Sequence, residues 1–130
     1  MPIINRVDDR QRIVYTTCEG KMELADFKIY VQNIWSHGLY YGYNELFDAR
    51  QGDWEEFDFG NLFVVASDAA KLASLDPNSK LAWVILEGKQ KRLTDFYTSL
   101  KTTLTDKSRE LRAFYSEQEA LDWLTGSSKI

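Results

Sequence analysis

The alternation of apolar and polar positions predicts about five short strands. They cover residues 2–7, 12–17, 43–49, 81–86 and 111–115. The first two are rich in β-branched side chains, and the polar residues 8–11 between them have the composition of a hairpin loop. Residues 81–86 are continuously apolar, which is typical of a strand covered on both faces. This stretch is therefore predicted to lie at the centre of a sheet.

About four helices are predicted, because apolar residues recur at spacings of three and four between and after the strands. Their inward positions are Leu24, Phe27, Val31 and Ile34; then Leu62, Phe63, Ala66, Ala69, Ala70 and Ala73; then Leu93, Phe96, Tyr97, Leu100 and Leu104; and last Ala120, Leu121 and Leu124. Ser116 with Glu119 forms a capping box before the last helix. The start of the second helix is ambiguous, since either Asp53 or Asp58 suits an N-cap.

The resulting order is β-β-α-β-α-β-α-β-α, which defines an α/β protein. Right-handed crossovers between alternating strands and helices give a mostly parallel sheet, with one antiparallel strand from the N-terminal hairpin. The chain has 130 residues, two prolines and no internal repeat, so residues 1–130 are expected to form a single domain.

Composition and charge exclude several classes of function. The net charge is −4, whereas a protein that binds nucleic acid through its phosphates carries a basic surplus. The longest apolar run has six residues, and the first twenty residues are interrupted by charges, so we expect a cytoplasmic protein without membrane insertion. One Cys and one His exclude an intramolecular disulfide and a Cys/His zinc site.

Three segments resemble the SpoIIAA-like or STAS-type domains, particularly their stand-alone bacterial branch of unknown function. IVYTTCEGKMELADF at 13–27 is similar to that family's strand, Glu-Gly turn and first helix. YNELFDAR at 43–50 is similar to its strand ending in Asp, and LRAFYSEQEALDWL at 111–124 to its closing strand and helix. The resemblance implies a SpoIIAA-like fold and a regulatory role, as in anti-sigma-factor antagonists.

The antagonist branch carries a phosphorylated serine at the start of the second helix, and this chain departs from that pattern. The corresponding residues 57–60 read Phe-Asp-Phe-Gly, with no hydroxyl group. A serine switch is therefore expected to be absent. Asp58 is then either a plain helix cap or a fixed negative charge in the position of the phosphoserine.

Two charged segments are further candidate sites. Lys89, Lys91 and Arg92 lie where a helix opens after the central strand, and residues 89–112 hold seven Lys/Arg against three Asp/Glu. They form either a solvated helix end or a site for an anion or an acidic partner. The acidic loop 51–58 lacks the regular oxygen spacing of a calcium loop, and no metal or cofactor is expected.

Aromatic residues make up 14% of the chain, and nine of the eighteen fall between positions 35 and 63. The candidates that lie in or beside loops are Tyr40, Tyr41, Trp54, Phe57 and Phe59. They are predicted to form local core, an interface such as that of a homodimer, or an apolar pocket. Because no catalytic constellation is present, we expect a non-enzymatic regulatory or protein-interaction domain. The alternative is a binder of a small apolar, lipid-like ligand or of an anionic one.

Overall fold

The predicted alternation of strands and helices is present in the computed structural model, which describes residues 2–72, 76–104 and 109–126. The strands are β1 (Ile3–Asp8), β2 (Ile13–Cys18), β3 (Gly20–Lys21), β4 (Asn44–Asp48), β5 (Gly52–Asp53), β6 (Lys80–Val84) and β7 (Glu110–Phe114). The helices are α1 (Leu24–Tyr30), α2 (Phe59–Ala70), α3 (Lys89–Leu104) and α4 (Glu117–Thr125), and a π-helical turn (Val31–Trp35) continues α1. Within these residues, no helix has both the length and the hydropathy to cross a membrane.

Five of the strands form one sheet in the order β1-β2-β4-β6-β7. β1 runs antiparallel to β2, with Ile3 opposite Cys18 and Asp8 opposite Ile13. The pairs β2-β4, β4-β6 and β6-β7 are all parallel. The prediction of a mostly parallel five-stranded sheet with an N-terminal hairpin is confirmed.

The two faces of the sheet bury different amounts of apolar surface. On one face, Val14, Phe47 and Trp83 pack beneath α1, the π-helical turn, α2 and α3. On the other face, Leu46 and Ala82 pack against α4, the only helix that the described residues place there. The strand residues alternate between these two cores, so β4 and β6 are covered on both sides, as parallel strands usually are.

Local details differ from the prediction. The two-residue strands β3 and β5 pair with each other in a second, parallel sheet that no apolar pattern marks. β6 ends at Val84, and Leu86 is exposed. The prediction that Phe63 and Ala70 face inward from α2 is wrong, because both are exposed. The position Ala73 lies outside the described residues. α2 begins after Asp58, which settles the ambiguity about its start.

The acidic aromatic loop before α2 contributes to the core. Phe57 is fully buried, with its ring centroid 5.0 Å from that of Phe27 and 5.3 Å from that of Trp54. The Trp54 indole N–H donates to the Ala49 carbonyl at 2.9 Å, so this ring has both apolar contacts and a polar partner. The loop therefore closes the core at the carboxyl end of β4.

Phe57→Ala and Phe59→Ala form a matched test of this packing. Phe57 is 0% exposed and Phe59 is 46% exposed, although they are two residues apart. We expect Phe57→Ala to lower the free energy of unfolding by about 3–5 kcal/mol. Phe59→Ala should cost only about 1 kcal/mol, since nearly half of its surface is already in water. Urea denaturation measures both values, and equal losses would contradict the assignment of Phe57 to the core.

Candidate functional site

A fully buried glutamate lies in the central strand β4. Alternation along the strand places Glu45 on the same face as Phe47, beneath the helices. Its Oε2 accepts hydrogen bonds from Thr16 Oγ1, at 2.7 Å, and from the Tyr30 hydroxyl. Its Oε1 accepts from the Arg109 guanidinium at 3.2 Å. A carboxylate can be buried only when it is paired and hydrogen-bonded in this way.

The π-helical turn extends this cluster. The Tyr30 hydroxyl accepts a hydrogen bond of 2.9 Å from the Trp35 indole N–H, and the Arg109 guanidinium lies 4.8 Å from the centre of the Trp35 ring. π-helical turns are rare and occur often at functional sites. Asn5 donates to Thr16 at 2.8 Å and so connects the edge strand β1. We call this cluster the Glu45 network: Asn5, Thr16, Tyr30, Trp35, Glu45 and Arg109.

Burial raises the pKa values of two phenols and one thiol near the network. Burial, followed by the nearby Glu45 carboxylate, raises the pKa of Tyr30 well above its ordinary value. Burial also raises the pKa of Tyr97, and it is the main cause of the raised pKa of the Cys18 thiol. A thiol held neutral is a poor nucleophile. The site is therefore suited to hydrogen bonding rather than to nucleophilic attack.

The Glu45 network forms one wall of an interior cavity of about 30 Å³. Tyr30, Glu45 and Arg109 provide polar groups, and Trp83 and Tyr97 add aromatic rings. The remaining wall is apolar and comes largely from α1, the π-helical turn and α2. A mostly apolar space with a few convergent polar groups has the chemical character of a small-molecule site.

Asp58 is the N-cap of α2. Its carboxylate accepts from the Asn61 N–H at 2.7 Å, and the Asn61 side chain accepts from the Asp58 N–H at 3.1 Å. This reciprocal pair is the geometry of a capping box. Asp58 is exposed, so the carboxylate is also open to a partner.

The three basic candidates at the start of α3 have different surroundings. The Lys89 ammonium donates to the Glu55 carbonyl at 2.7 Å, and Lys91 forms an ion pair of 2.6 Å with Asp95. Arg92 is exposed. Lys89 and Lys91 are therefore held by contacts within the chain, which leaves Arg92 as the cation best placed to meet a partner.

The loop aromatics fall into two groups. Trp54 and Phe57 are buried in the core, whereas Tyr41 and Phe59 are 52% and 46% exposed. Tyr40 is partly buried and contacts the ring of Tyr43 at 5.4 Å. The surface candidates of this set are therefore Tyr41 and Phe59.

The acidic residues of the loop serve separate local roles. Asp48 forms an ion pair with Arg50, Asp53 accepts the Glu55 N–H, and Glu56 pairs with Lys21 at 2.6 Å. Across the described part of the chain, no three His, Cys, Asp or Glu side chains converge in a geometry suited to a metal ion.

Sequence reasoning did not identify the Glu45 network. It concentrated on the carboxyl ends of the parallel strands, whereas Glu45 is near the amino end of β4 and Arg109 directly precedes β7. A signal was present, because a charged residue in a strand with apolar neighbours on both faces must be buried and paired. Nothing in the sequence pointed to Arg109 as its partner, since the separation is 64 residues.

Comparison with known proteins supports the fold. No protein-family model matches the chain, and no curated protein matches it. A crystal structure from Shewanella loihica PV-4, at 2.25 Å resolution, is similar; it is described as an uncharacterized protein of the DUF3478 family with a SpoIIAA-like fold. The similarity covers 94% of this chain and 91% of that one, with a TM-score of 0.58 and 14% sequence identity. The chain therefore has a SpoIIAA-like α/β fold.

Glu45→Gln tests whether the network stabilises the fold. The substitution keeps the shape of the side chain but leaves the Arg109 guanidinium buried without a counter-ion. Breaking one partner of a buried ion pair costs about 3–5 kcal/mol, and we expect a loss of that size in urea denaturation. Asp95→Asn is the control, because it removes one partner of an exposed ion pair and should cause no measurable change. Equal effects of the two variants would contradict a structural role for Glu45.

Alkaline pH should weaken the fold through the buried phenols. Because the pKa of Tyr97 is higher in the folded protein than its ordinary value of 10.0, the unfolded chain ionises first. The stabilisation is therefore fully present below pH 10. Above pH 10 the free energy of unfolding falls, by up to about 1.4 kcal/mol per pH unit for each phenol whose pKa is raised. Tyr97→Phe removes one of these groups, so the free energy of unfolding should fall less steeply with pH, by up to about 1.4 kcal/mol per pH unit. Urea denaturation between pH 8 and pH 11 measures this difference, and identical slopes would contradict it.

Proposed function

We propose that the chain is a non-enzymatic regulatory domain that acts through protein contacts, including contacts with a second copy of itself. The observation that supports this most is an aromatic surface at the start of α2. Phe59 and Phe63 are one helical turn apart and are 46% and 47% exposed. The Phe59 ring lies 4.8 Å from that of Phe96 on α3. We call these three residues the aromatic surface, in which Phe59 and Phe63 are exposed and Phe96 is partly buried. Clustered exposed apolar side chains commonly mark interaction sites.

Opposite charges flank the aromatic surface. Asp58 directly precedes Phe59, and Arg92 lies one helical turn before Phe96 on α3. A twofold interface presents the same patch from both subunits, so a negative group at one side can meet a positive group of the other copy. This pattern favours a second copy of the chain as the partner of the aromatic surface, and hence a homodimer.

The ionisable groups of the interior support the non-enzymatic part of the proposal. Glu45 and Arg109 neutralise each other, and the raised pKa values of Tyr30 and Cys18 keep these side chains protonated. A nucleophile or general base needs a pKa matched to its task, and the raised pKa values of Tyr30 and Cys18 do not suit them to either role. A single buried thiol is also compatible with the cytoplasmic location that we propose.

Phe59→Ser combined with Phe63→Ser should weaken self-association. We expect the unchanged chain to dimerise with increasing concentration in sedimentation equilibrium, and the double variant to have at least a tenfold higher dissociation constant. The matched control is Ile29→Ser with Leu39→Ser, which removes two other exposed apolar side chains and should leave dimerisation unchanged. A chain that stays monomeric, or equal effects of both pairs, would contradict the dimer interface.

Asp58→Asn extends the same measurement to the charge at the position that corresponds to the phosphorylated serine of the antagonists. Asparagine caps a helix about as well as aspartate, so the melting temperature should change little. If the carboxylate acts as a fixed charge toward the partner, dimerisation weakens at low salt and the difference disappears at high salt. No change at any salt concentration would reduce Asp58 to a helix cap.

The interior cavity favours a second candidate function, the binding of a small ligand. Its wall combines apolar side chains with the polar groups of the Glu45 network. A ligand of this kind would lie against α2, the helix that carries the aromatic surface.

A further inference from the structure

The Trp83 indole N–H is a buried donor without an acceptor. Trp83 is 8% exposed, and among the described residues its Nε1 has no hydrogen-bond partner. The other two buried indoles each have one, since Trp35 donates to Tyr30 and Trp54 to the Ala49 carbonyl, both at 2.9 Å. Buried polar groups are nearly always satisfied, so this exception requires an explanation.

Trp83 lies between two small cavities. It lines the interior cavity of about 30 Å³ and a second one of about 10 Å³, and Leu62 of α2 also lines both. A water molecule needs about 10–15 Å³ of such space. The two cavities together therefore suit a molecule of a few heavy atoms next to the Trp83 ring.

The charges around the larger cavity exclude an ionic ligand. Arg109 is 9% exposed and is already neutralised by the fully buried Glu45. An anion would have to displace the Glu45 carboxylate from Arg109, and a cation would meet the guanidinium. Either would be desolvated without a free counter-ion, which is costly. The remaining wall is apolar, so the favoured ligand is uncharged.

We propose that these cavities bind a small uncharged organic molecule whose carbonyl or ether oxygen accepts a hydrogen bond from the Trp83 indole N–H. The apolar part of the ligand packs against the rings around Trp83, among them Phe47 and Tyr97. This proposal rests on the small-ligand function above and specifies the chemical class of the ligand.

Three probes of the same planar, four-heavy-atom shape separate the alternatives. Acetone carries a neutral acceptor, 2-methylpropene replaces the oxygen with carbon, and acetate adds a negative charge. Each is titrated to the same concentration against the ¹⁵N-labelled full chain, and the indole N–H resonances of the four tryptophans are recorded. We expect acetone to shift the Trp83 resonance at least tenfold more per millimolar than the other probes do. The indole of Trp123, which packs against the opposite face of the sheet, is the internal control and should not move.

Trp83→Phe removes the donor and keeps most of the ring. Compared with the unchanged chain, the Leu62 methyl resonances of this variant should shift at least tenfold less with acetone. Their shift with 2-methylpropene should be the same in both proteins. If the variant does not fold, the titration of the unchanged chain still tests the proposal, because its Trp83 indole resonance can be assigned through the backbone.

Each other outcome overturns the proposal in a distinguishable way. An equal or larger response to 2-methylpropene would overturn the role of the indole donor and leave the small-ligand function standing. A response to acetate as large as that to acetone would overturn the assignment of an uncharged ligand. No response at Trp83 to any probe would overturn both the inference and the small-ligand function.

Discussion

The buried ion pair of Glu45 and Arg109 constrains the rest of the structure. A carboxylate in the interior must keep all of its partners, because the loss of one leaves an uncompensated charge or polar group. The partners come from different parts of the chain: Thr16 from β2, Tyr30 from the end of α1, and Arg109 from the residue before β7. The position of Glu45 thus fixes one helix and two strands relative to β4.

The aromatic core begins at the same buried ion pair. Tyr30 contacts Glu45 through its hydroxyl, and its ring lies 6.1 Å from that of Phe47 and 6.3 Å from that of Phe27. Phe27 in turn contacts Trp54 and Phe57 of the acidic loop. A continuous set of ring contacts therefore runs from the Glu45 network to the start of α2. The high aromatic content is explained in large part by this core, and only a few rings, such as Tyr41 and Phe59, remain at the surface.

The sequence predicts the parts of this structure that depend on local pattern. The alternation of strands and helices, the hairpin and the interior position of β6 follow from periodicity and turn composition, and all are observed, although the middle strand of the five is β4 and not β6. The burial of Phe57 and the exposure of Phe59 could not be predicted, because both are aromatic residues beside the same cap and only their tertiary neighbours differ. The Glu45–Arg109 pair joins residues 64 positions apart, and spacing alone does not identify such a partner. The π-helical turn has no sequence signal either, although it is the segment that brings the Trp35 indole to Tyr30.

The aromatic surface and the cavities beside Trp83 share one element, the helix α2. Asp58 and Phe59 begin this helix at the carboxyl end of the sheet, where the aromatic surface is exposed. One turn further on, Leu62 faces inward and lines both cavities beside Trp83. A ligand in these cavities would contact the helix that carries the aromatic surface, and a shift of the α2 backbone at Leu62 would move Phe59 and Phe63 with it. Because packed helices shift between discrete arrangements rather than deform continuously, a small molecule inside the core can alter a protein contact at the surface. α2 is thus the element that would couple the proposed ligand site to the proposed interface, as a regulatory role without a phosphorylatable serine at this position requires.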